Sequence, residues 1–170
     1  MNGQPIRNRQ ELMSLFEAAR WAPSAFNLQV WRFVYAERNT DHFDRFLELL
    51  PERNRHWAKD AAVLVVVLSK KNQIYKGEKL PVVTHSFDAG AAWMAMALEG
   101  TARGFVVHAT GGFEPDKVAQ AIGINRDEYD IEVIVAIGNR AFKGKRENTT
   151  QRNEIDKFVS EGVFSEKIEE

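Results

Sequence analysis

The sequence predicts a single α+β domain in which helices flank a central mixed β-sheet. Three observations lead there. Apolar runs of strand length, Ala61–Leu68, Phe105–Thr110 and Ile131–Ile137, alternate with segments whose apolar residues recur at helical spacing. The connections between them are irregular, and no GxGxxG fingerprint follows the first strand candidate, which argues against a dinucleotide-binding Rossmann domain. At 170 residues, without internal repeat or linker, residues 1–170 are long enough to bury one sizeable core.

The elements follow from local chemistry. Asn8-Arg9-Gln10-Glu11 has capping-box spacing, and Leu12, Leu15, Phe16 and Ala19 form the apolar stripe of a helix that Pro23 ends. Trp31 to Ala36 reads as a strand, being aromatic and β-branched. Asp41 is the expected N-cap of a second helix with Phe43, Phe46, Leu47 and Leu50 on its buried face, and Pro51 stops it. Glu52 to Lys59 makes one more short helix, and the valines of Ala61 to Leu68 favour a strand covered on both faces. Residues 70–83 mix Lys, Asn, Gln, Gly and Pro and read as a surface connection. From Ser86 to Arg103 runs a long helix crowded with small residues, suited to close backbone approach, and Gly104 closes it. Pro115 suits the first turn of a helix ending at Gly123. Beyond residue 139 the chain turns polar: of residues 140–170, 14 are charged and 8 are Ala, Ile, Val or Phe. Such a tail cannot hold its own core, yet Ile155, Phe158, Val159, Val163 and Phe164 are spaced to dock on something already folded.

Composition excludes several classes of function. With 23 basic against 24 acidic residues the net charge is −1, so no broad field draws nucleic acid or an anionic membrane. Cysteine is absent, which removes disulfides, thiolate chemistry and cysteine zinc sites and suits the cytoplasm. The opening residues lack the apolar core of a signal peptide, and the longest apolar run is too short to span a bilayer. His42, His56, His85 and His108 are scattered without metal-ligand spacing, and no GxSxG elbow or P-loop is present. The balance points to a small neutral or mixed-charge ligand.

One segment is unusually dense in hydrogen-bonding groups. After Pro23, the side chains of Ser24, Asn27 and Gln29 offer a hydroxyl and two amides, suited to the edge of a flat, polar-rimmed ligand. A helix stop with ordinary turn residues is the competing reading. Pro23-Ser24-Ala25-Phe26-Asn27-Leu28-Gln29-Val30-Trp31-Arg32-Phe33 resembles the Pro-Ser-(Ser/Ala)-x-Asn-x-Gln-Pro-Trp-x-Phe signature of the nitroreductase family, the FMN-dependent NAD(P)H oxidoreductases. Val30 departs from it, standing where the family has proline.

The resemblance implies a nitroreductase-like α+β fold and an intertwined homodimer whose C-terminal segment, here residues 139–170, embraces the partner subunit. It also implies an FMN site built from Pro23, Ser24, Ala25 and Asn27 at the ring, Asn54 at the pyrimidine edge, and Thr110, Gly111 and Gly112 in a loop over the flavin. Within that loop the Gly111 backbone N–H faces the hydride-accepting N5, and Arg152 grips the phosphate. The chemistry suits the residue types. An amide both donates and accepts along a ring edge of alternating N–H and C=O, glycine lets backbone approach a flat ring, and guanidinium binds phosphate bidentately. No side chain need act as general acid or base, and no metal is implied. Family members usually open with an Arg-bearing segment ahead of the part equivalent to Asn2–Ile6, and here Met1 stands immediately after that point. The implied activity is reduction of a nitroaromatic, quinone or similar acceptor by hydride from NAD(P)H in ping-pong fashion. The alternative is a non-catalytic dimer of the same fold with weak or lost flavin binding that holds another planar ligand or a protein.

Overall fold

In the computed structural model, residues 1–6, 8–141 and 149–164 are described; Arg7 and the parts of the expected C-terminal extension at 142–148 and 165–170 lie outside them. Helix α1 (Arg9–Arg20) begins as expected, with Asn8 Oδ1 accepting from the Gln10 N–H at 2.9 Å and Leu12, Leu15 and Ala19 buried. Strand β1 is Trp31–Glu37, followed by α2 (Asp41–Glu48) and α3 (Glu52–Ala58). Thr40, not Asp41, caps α2: its hydroxyl accepts from the Phe43 N–H at 3.2 Å, leaving Asp41 in the first turn to face the helix dipole. Then come β2 (Val63–Lys70), a hairpin of β3 (Asn72–Tyr75) and β4 (Glu78–Pro81), α4 (His85–Ala102), β5 (Phe105–Thr110), α5 (Pro115–Ile122) and β6 (Tyr129–Asn139).

The main sheet has the order β1-β2-β6-β5, and each described pairing is antiparallel rather than mixed. Helical layers cover both faces, as the apolar run from Ala61 to Leu68 requires. Because successive strand residues point to opposite faces, Val63, Val65 and Val67 pack with Leu12, Leu15, Ala89, Ala92 and Met96 of α1 and α4. Leu64, Val66 and Leu68 pack on the other side with Phe43, Phe46, Ala58 and Val118 of α2, α3 and α5. Both sets are fully buried, so neither face of β2 reaches solvent.

The stretch 70–83, expected as a surface connection, contains the β3–β4 hairpin. Lys76 and Gly77, at φ 51° and 85°, make its two-residue turn, the left-handed pair that matches strand twist. Its polar strands carry no alternating apolar signal, so periodicity could not reveal it. The small residues of α4 do permit close packing. A Cβ added at Gly100 would lie 2.5 Å from Val107 Cγ2 and 3.4 Å from Leu15 Cδ2, so α1, α4 and β5 converge on a site with no room for a methyl group.

Gly100→Ala is accordingly expected to destabilise the fold by about 1–3 kcal/mol through overpacking, despite alanine's better helix propensity. A fall in the denaturant midpoint at unchanged slope is the measurement; an unchanged midpoint contradicts this packing.

Candidate functional site

Two groups of residues named from the sequence are built into the fold by polar contacts. The first is the turn between α1 and β1. The helix ends before Pro23, and Ala25–Asn27 form a single irregular turn in which Phe26 (φ 50°), Asn27 (φ 56°) and then Gln29 (φ 48°) are left-handed. Strain of this kind costs on the order of 1–3 kcal/mol for each bulky residue and persists only where surrounding contacts over-determine it. Here those contacts are visible. Ser24 Oγ accepts from the Gln29 N–H at 3.0 Å, Ser24 O from the Asn27 N–H at 3.0 Å, and the Ala25 N–H donates to Asp88 Oδ2 at 3.0 Å. The Asn27 side-chain amide has no partner among the described residues and stands exposed beside them.

Asn54 organises the second group. It lies on α3, just after Pro51 directs the chain into the helix, and its side chain turns inward, leaving only 6% of the residue exposed. Its Nδ2 donates to Thr110 Oγ1 at 2.6 Å, and that same hydroxyl accepts from the Gly112 N–H at 3.3 Å. A Cβ on Gly112 would come within 3.0 Å of Asn54 Nδ2, whereas one on Gly111 would meet nothing within 4 Å. A side chain at 112 would therefore crowd the Asn54 amide, which glycine avoids. At 111 the backbone borders open space that another molecule can enter. A cleft of about 490 Å³ adjoins this loop, lined by Leu50, Pro51, Arg55, Gly112, Phe113 and Lys117 among others.

Arg152 is not brought to either group by any described hydrogen bond. It sits in the exposed tail, donating to the carbonyl and hydroxyl oxygens of Thr150 and to the Gln151 carbonyl. The tail residues Ile155, Phe158, Val159, Val163 and Phe164 are all exposed, as is an apolar stripe along α4 and its approach formed by Val83, Phe87, Met94 and Leu98. Trp57 packs edge-on against His108, ring centroids 4.7 Å apart, and Trp31 is core.

Sequence reading missed Asp88 and the network beside it. Asp88 is 4% exposed and its Oδ2 accepts from both Ala25 N–H and Thr84 Oγ1, joining α4 to the strained turn. Next to it Ser69, wholly buried at the end of β2, donates to Glu132 Oε1 at 2.5 Å and lies 2.7 Å from His85 Nδ1, while Ser86 donates to the same Glu132 oxygen at 2.8 Å. A lone Asp within an alanine-rich helix was the one available signal, since burying a carboxylate demands partners. On the outer side of the turn, Glu17 accepts from Arg20 and from the indole N–H of Trp21 at 2.8 Å, with the guanidinium 4.9 Å over the ring of the exposed Trp21. The Arg20 hydrogen bond first, and the Trp21 bond second, hold the Glu17 carboxyl down at about 2.

The fold is a three-layered α+β domain, helices on both faces of one sheet, with an inward asparagine under an open glycine loop, and comparison places it. The sequence matches the profile of the Nitroreductase family over residues 4–56 and 38–139, and the chain belongs to that family. The Bacillus subtilis (strain 168) protein YdgI, provisionally assigned as an NAD(P)H nitroreductase, is 22% identical over 169 residues, covering 81% of this chain and 80% of its own. A solved structure described as an oxidoreductase containing FMN superposes with a TM-score of 0.91 at 39% identity, over 98% of this chain and 87% of its own. A provisionally assigned nitroreductase from Exiguobacterium sibiricum 255-15, solved in complex with FMN, shares the fold at a TM-score of 0.77 and 18% identity, over 94% of this chain and 89% of its own. Among the described residues no helix is long and apolar enough to cross a membrane, and no group of His, Asp and Glu is placed to hold a metal.

Two expectations follow from the turn. Asp88→Ala leaves the half-buried Ala25 N–H without its acceptor, so a stability loss of about 1–3 kcal/mol is expected together with faster hydrogen exchange at that amide. Protection unchanged in the variant would show that Asp88 does not hold the turn. The folded Glu17 carboxyl titrates below its ordinary value of 4.5, so the stabilisation it contributes is present above that value and is lost as pH falls from about 4.5 through about 2. An NMR titration of the Glu17 side-chain carbon should show its midpoint near the bottom of that range, moving up in Trp21→Phe.

Proposed function

We propose that this protein is an FMN-dependent oxidoreductase that takes hydride from NAD(P)H and reduces a nitroaromatic, quinone or similar oxidised aromatic acceptor by a ping-pong mechanism, acting as a homodimer in the cytoplasm. The observation that carries this reading is the Asn54–Thr110–Gly112 contact set with the unobstructed Gly111 backbone beside it. Asn54 spends its Nδ2 on Thr110, which orients the amide so that its oxygen can serve a ring N–H. The Gly111 N–H provides a donor with no side chain in the way, and a ring that gains negative charge as it accepts hydride is stabilised by such a donor. FMN, when bound, supplies the redox chemistry itself, accepting hydride and returning electrons to the second substrate.

The turn at Pro23, Ser24, Ala25 and Asn27 completes the site from the other subunit of the dimer, with the free Asn27 amide at the ring. The exposed Phe87, Met94 and Leu98, spaced over about three turns of α4, with Val83 just ahead of it, support association through α4, since apolar side chains aligned on one helix face are costly to leave in water. Arg152 is assigned to the phosphate, exchanging its local contacts to Thr150 and Gln151 for a charge-assisted pair.

Purified protein incubated with FMN should acquire flavin absorbance with altered fine structure, and initial rates with NADH or NADPH and a quinone should give parallel double-reciprocal lines. Protein that stays colourless with excess FMN would overturn this reading in favour of a non-catalytic dimer. Asn54→Ala is expected to weaken FMN about tenfold, the value of one lost hydrogen bond, read by quenching of flavin fluorescence.

A further inference from the structure

We infer that His85 is a proton-operated clamp: on protonation its Nε2–H closes on Asp130, and the first turn of α4, fixed more firmly, holds the turn at Ala25 through Asp88. What carries this is where the protons of the cluster must lie. Ser69 and Ser86 each have one hydroxyl proton, and each donates it to Glu132 Oε1, at 2.5 Å and 2.8 Å. Both hydroxyl oxygens also lie against His85 Nδ1, at 2.7 Å and 3.3 Å. With those protons spent on the carboxylate, Nδ1 must be the donor, so the neutral ring carries its hydrogen there and Nε2 holds a lone pair. That lone pair faces Asp130 Oδ2 at 3.9 Å, acceptor against acceptor. Ser69 is no nucleophile in this arrangement, being wholly buried with its hydroxyl proton directed away from the imidazole.

A proton added at Nε2 turns this mismatch into an ion pair and leaves the Nδ1 contacts as they are. The groups facing the ring are Asp130 and Glu132 of β6, Ser69 of β2 and Ser86 of α4, with Lys71, just beyond β2, 3.6 Å from the other oxygen of Asp130. Lys71 and the positive end of α4 repel the imidazolium, whereas the two carboxylates of β6 attract it. The effect reaches the turn through one helical step. Thr84 precedes α4 and His85 opens it, Thr84 O accepts from the Asp88 N–H at 2.9 Å, and Asp88 Oδ2 accepts from the Ala25 N–H at 3.0 Å. A firmer anchor of residues 84–86 on β2 and β6 thus limits the movement of Asp88 and of the amide it holds. The clamp follows from the fold alone; its consequence for flavin rests on the reading above, in which Ala25 borders the ring.

The test titrates the isotope-labelled full-length protein between about pH 5 and 8, the range in which histidine ordinarily changes charge. Ring nitrogen shifts of His85 report its tautomer and charge, and Ala25 amide exchange, divided by the intrinsic rate at each pH, reports the turn. Expected are a neutral ring protonated at Nδ1 and an Ala25 protection that rises about two- to fivefold as pH falls through the His85 midpoint, the range of a partly exposed ion pair. Asp130→Asn should keep the tautomer and flatten that rise, and His85→Gln, whose amide can donate to Ser69 at every pH, should give protection independent of pH. A neutral ring protonated at Nε2, protection that stays flat while His85 titrates, or a rise that survives in Asp130→Asn would each overturn the clamp. The wild-type titration decides even where a variant fails to fold. FMN affinity, read by quenching of flavin fluorescence, should tighten more in the wild type than in Asp130→Asn as pH falls, and equal tightening would overturn the link to flavin. Protein that takes up no FMN defeats the flavin reading and leaves the clamp standing, whereas Ala25 protection indifferent to His85 defeats the clamp alone.

Discussion

Every layer of the molecule takes its position from β2, which is hydrogen-bonded on both edges and covered on both faces. Alternate side chains of one strand serve two cores: Val63, Val65 and Val67 hold α1 and α4, while Leu64, Val66 and Leu68 hold α2, α3 and α5. A one-residue slip in register would exchange the two sets and present each helical layer with the wrong side chains. The two halves of the proposed site inherit this constraint. The strained turn leans on α4 in one layer, and Asn54 projects from α3 in the other.

Buried polar groups then convert layers into a site. Asp88 and Asn54 are each almost wholly buried, and each reaches across from a helix to a segment distant in sequence: Asp88 to Ala25, Asn54 to Thr110. A buried polar group without its partner costs more than the bond itself contributes, so such contacts act as locks on geometry more than as sources of stability. The Ser69, His85 and Glu132 network plays a similar part at the root of α4, fastening its first turn to the ends of β2 and β6. The glycine loop is held by the Asn54 lock itself, because Thr110 gathers both Asn54 and the Gly112 N–H at one hydroxyl.

Much of this was legible along the chain. Asn8, Pro23, Pro51, Gly104 and Pro115 marked helix boundaries because caps and breakers act within one turn of the backbone, and α1, α4 and α5 lie within a residue or two of where these residues put them. The motif from Pro23 to Phe33 with Gly111 and Gly112 led to the nitroreductase family, to which the chain belongs. Other features were not legible. The Thr40 cap competes with an equally suitable Asp41 one residue on, and only the observed backbone decides between them. The β3–β4 hairpin mixes polar and apolar residues on both faces, so no alternation marks it. The antiparallel sense of the sheet depends on connections whose path no periodicity encodes.

What the sequence by itself determined was therefore local and compositional: where helices start and stop, which strand is buried on both sides, and which family the chain belongs to. Tertiary structure alone decided that Asn54 turns inward onto Thr110, that Asp88 secures a turn 63 residues away, and that Phe26 stands strained and exposed within that turn. The reason is physical. Propensity, capping and amphipathicity are short-range and can be read within a window, whereas the partner of a buried polar side chain is chosen by the packing of layers that meet only after the chain has folded.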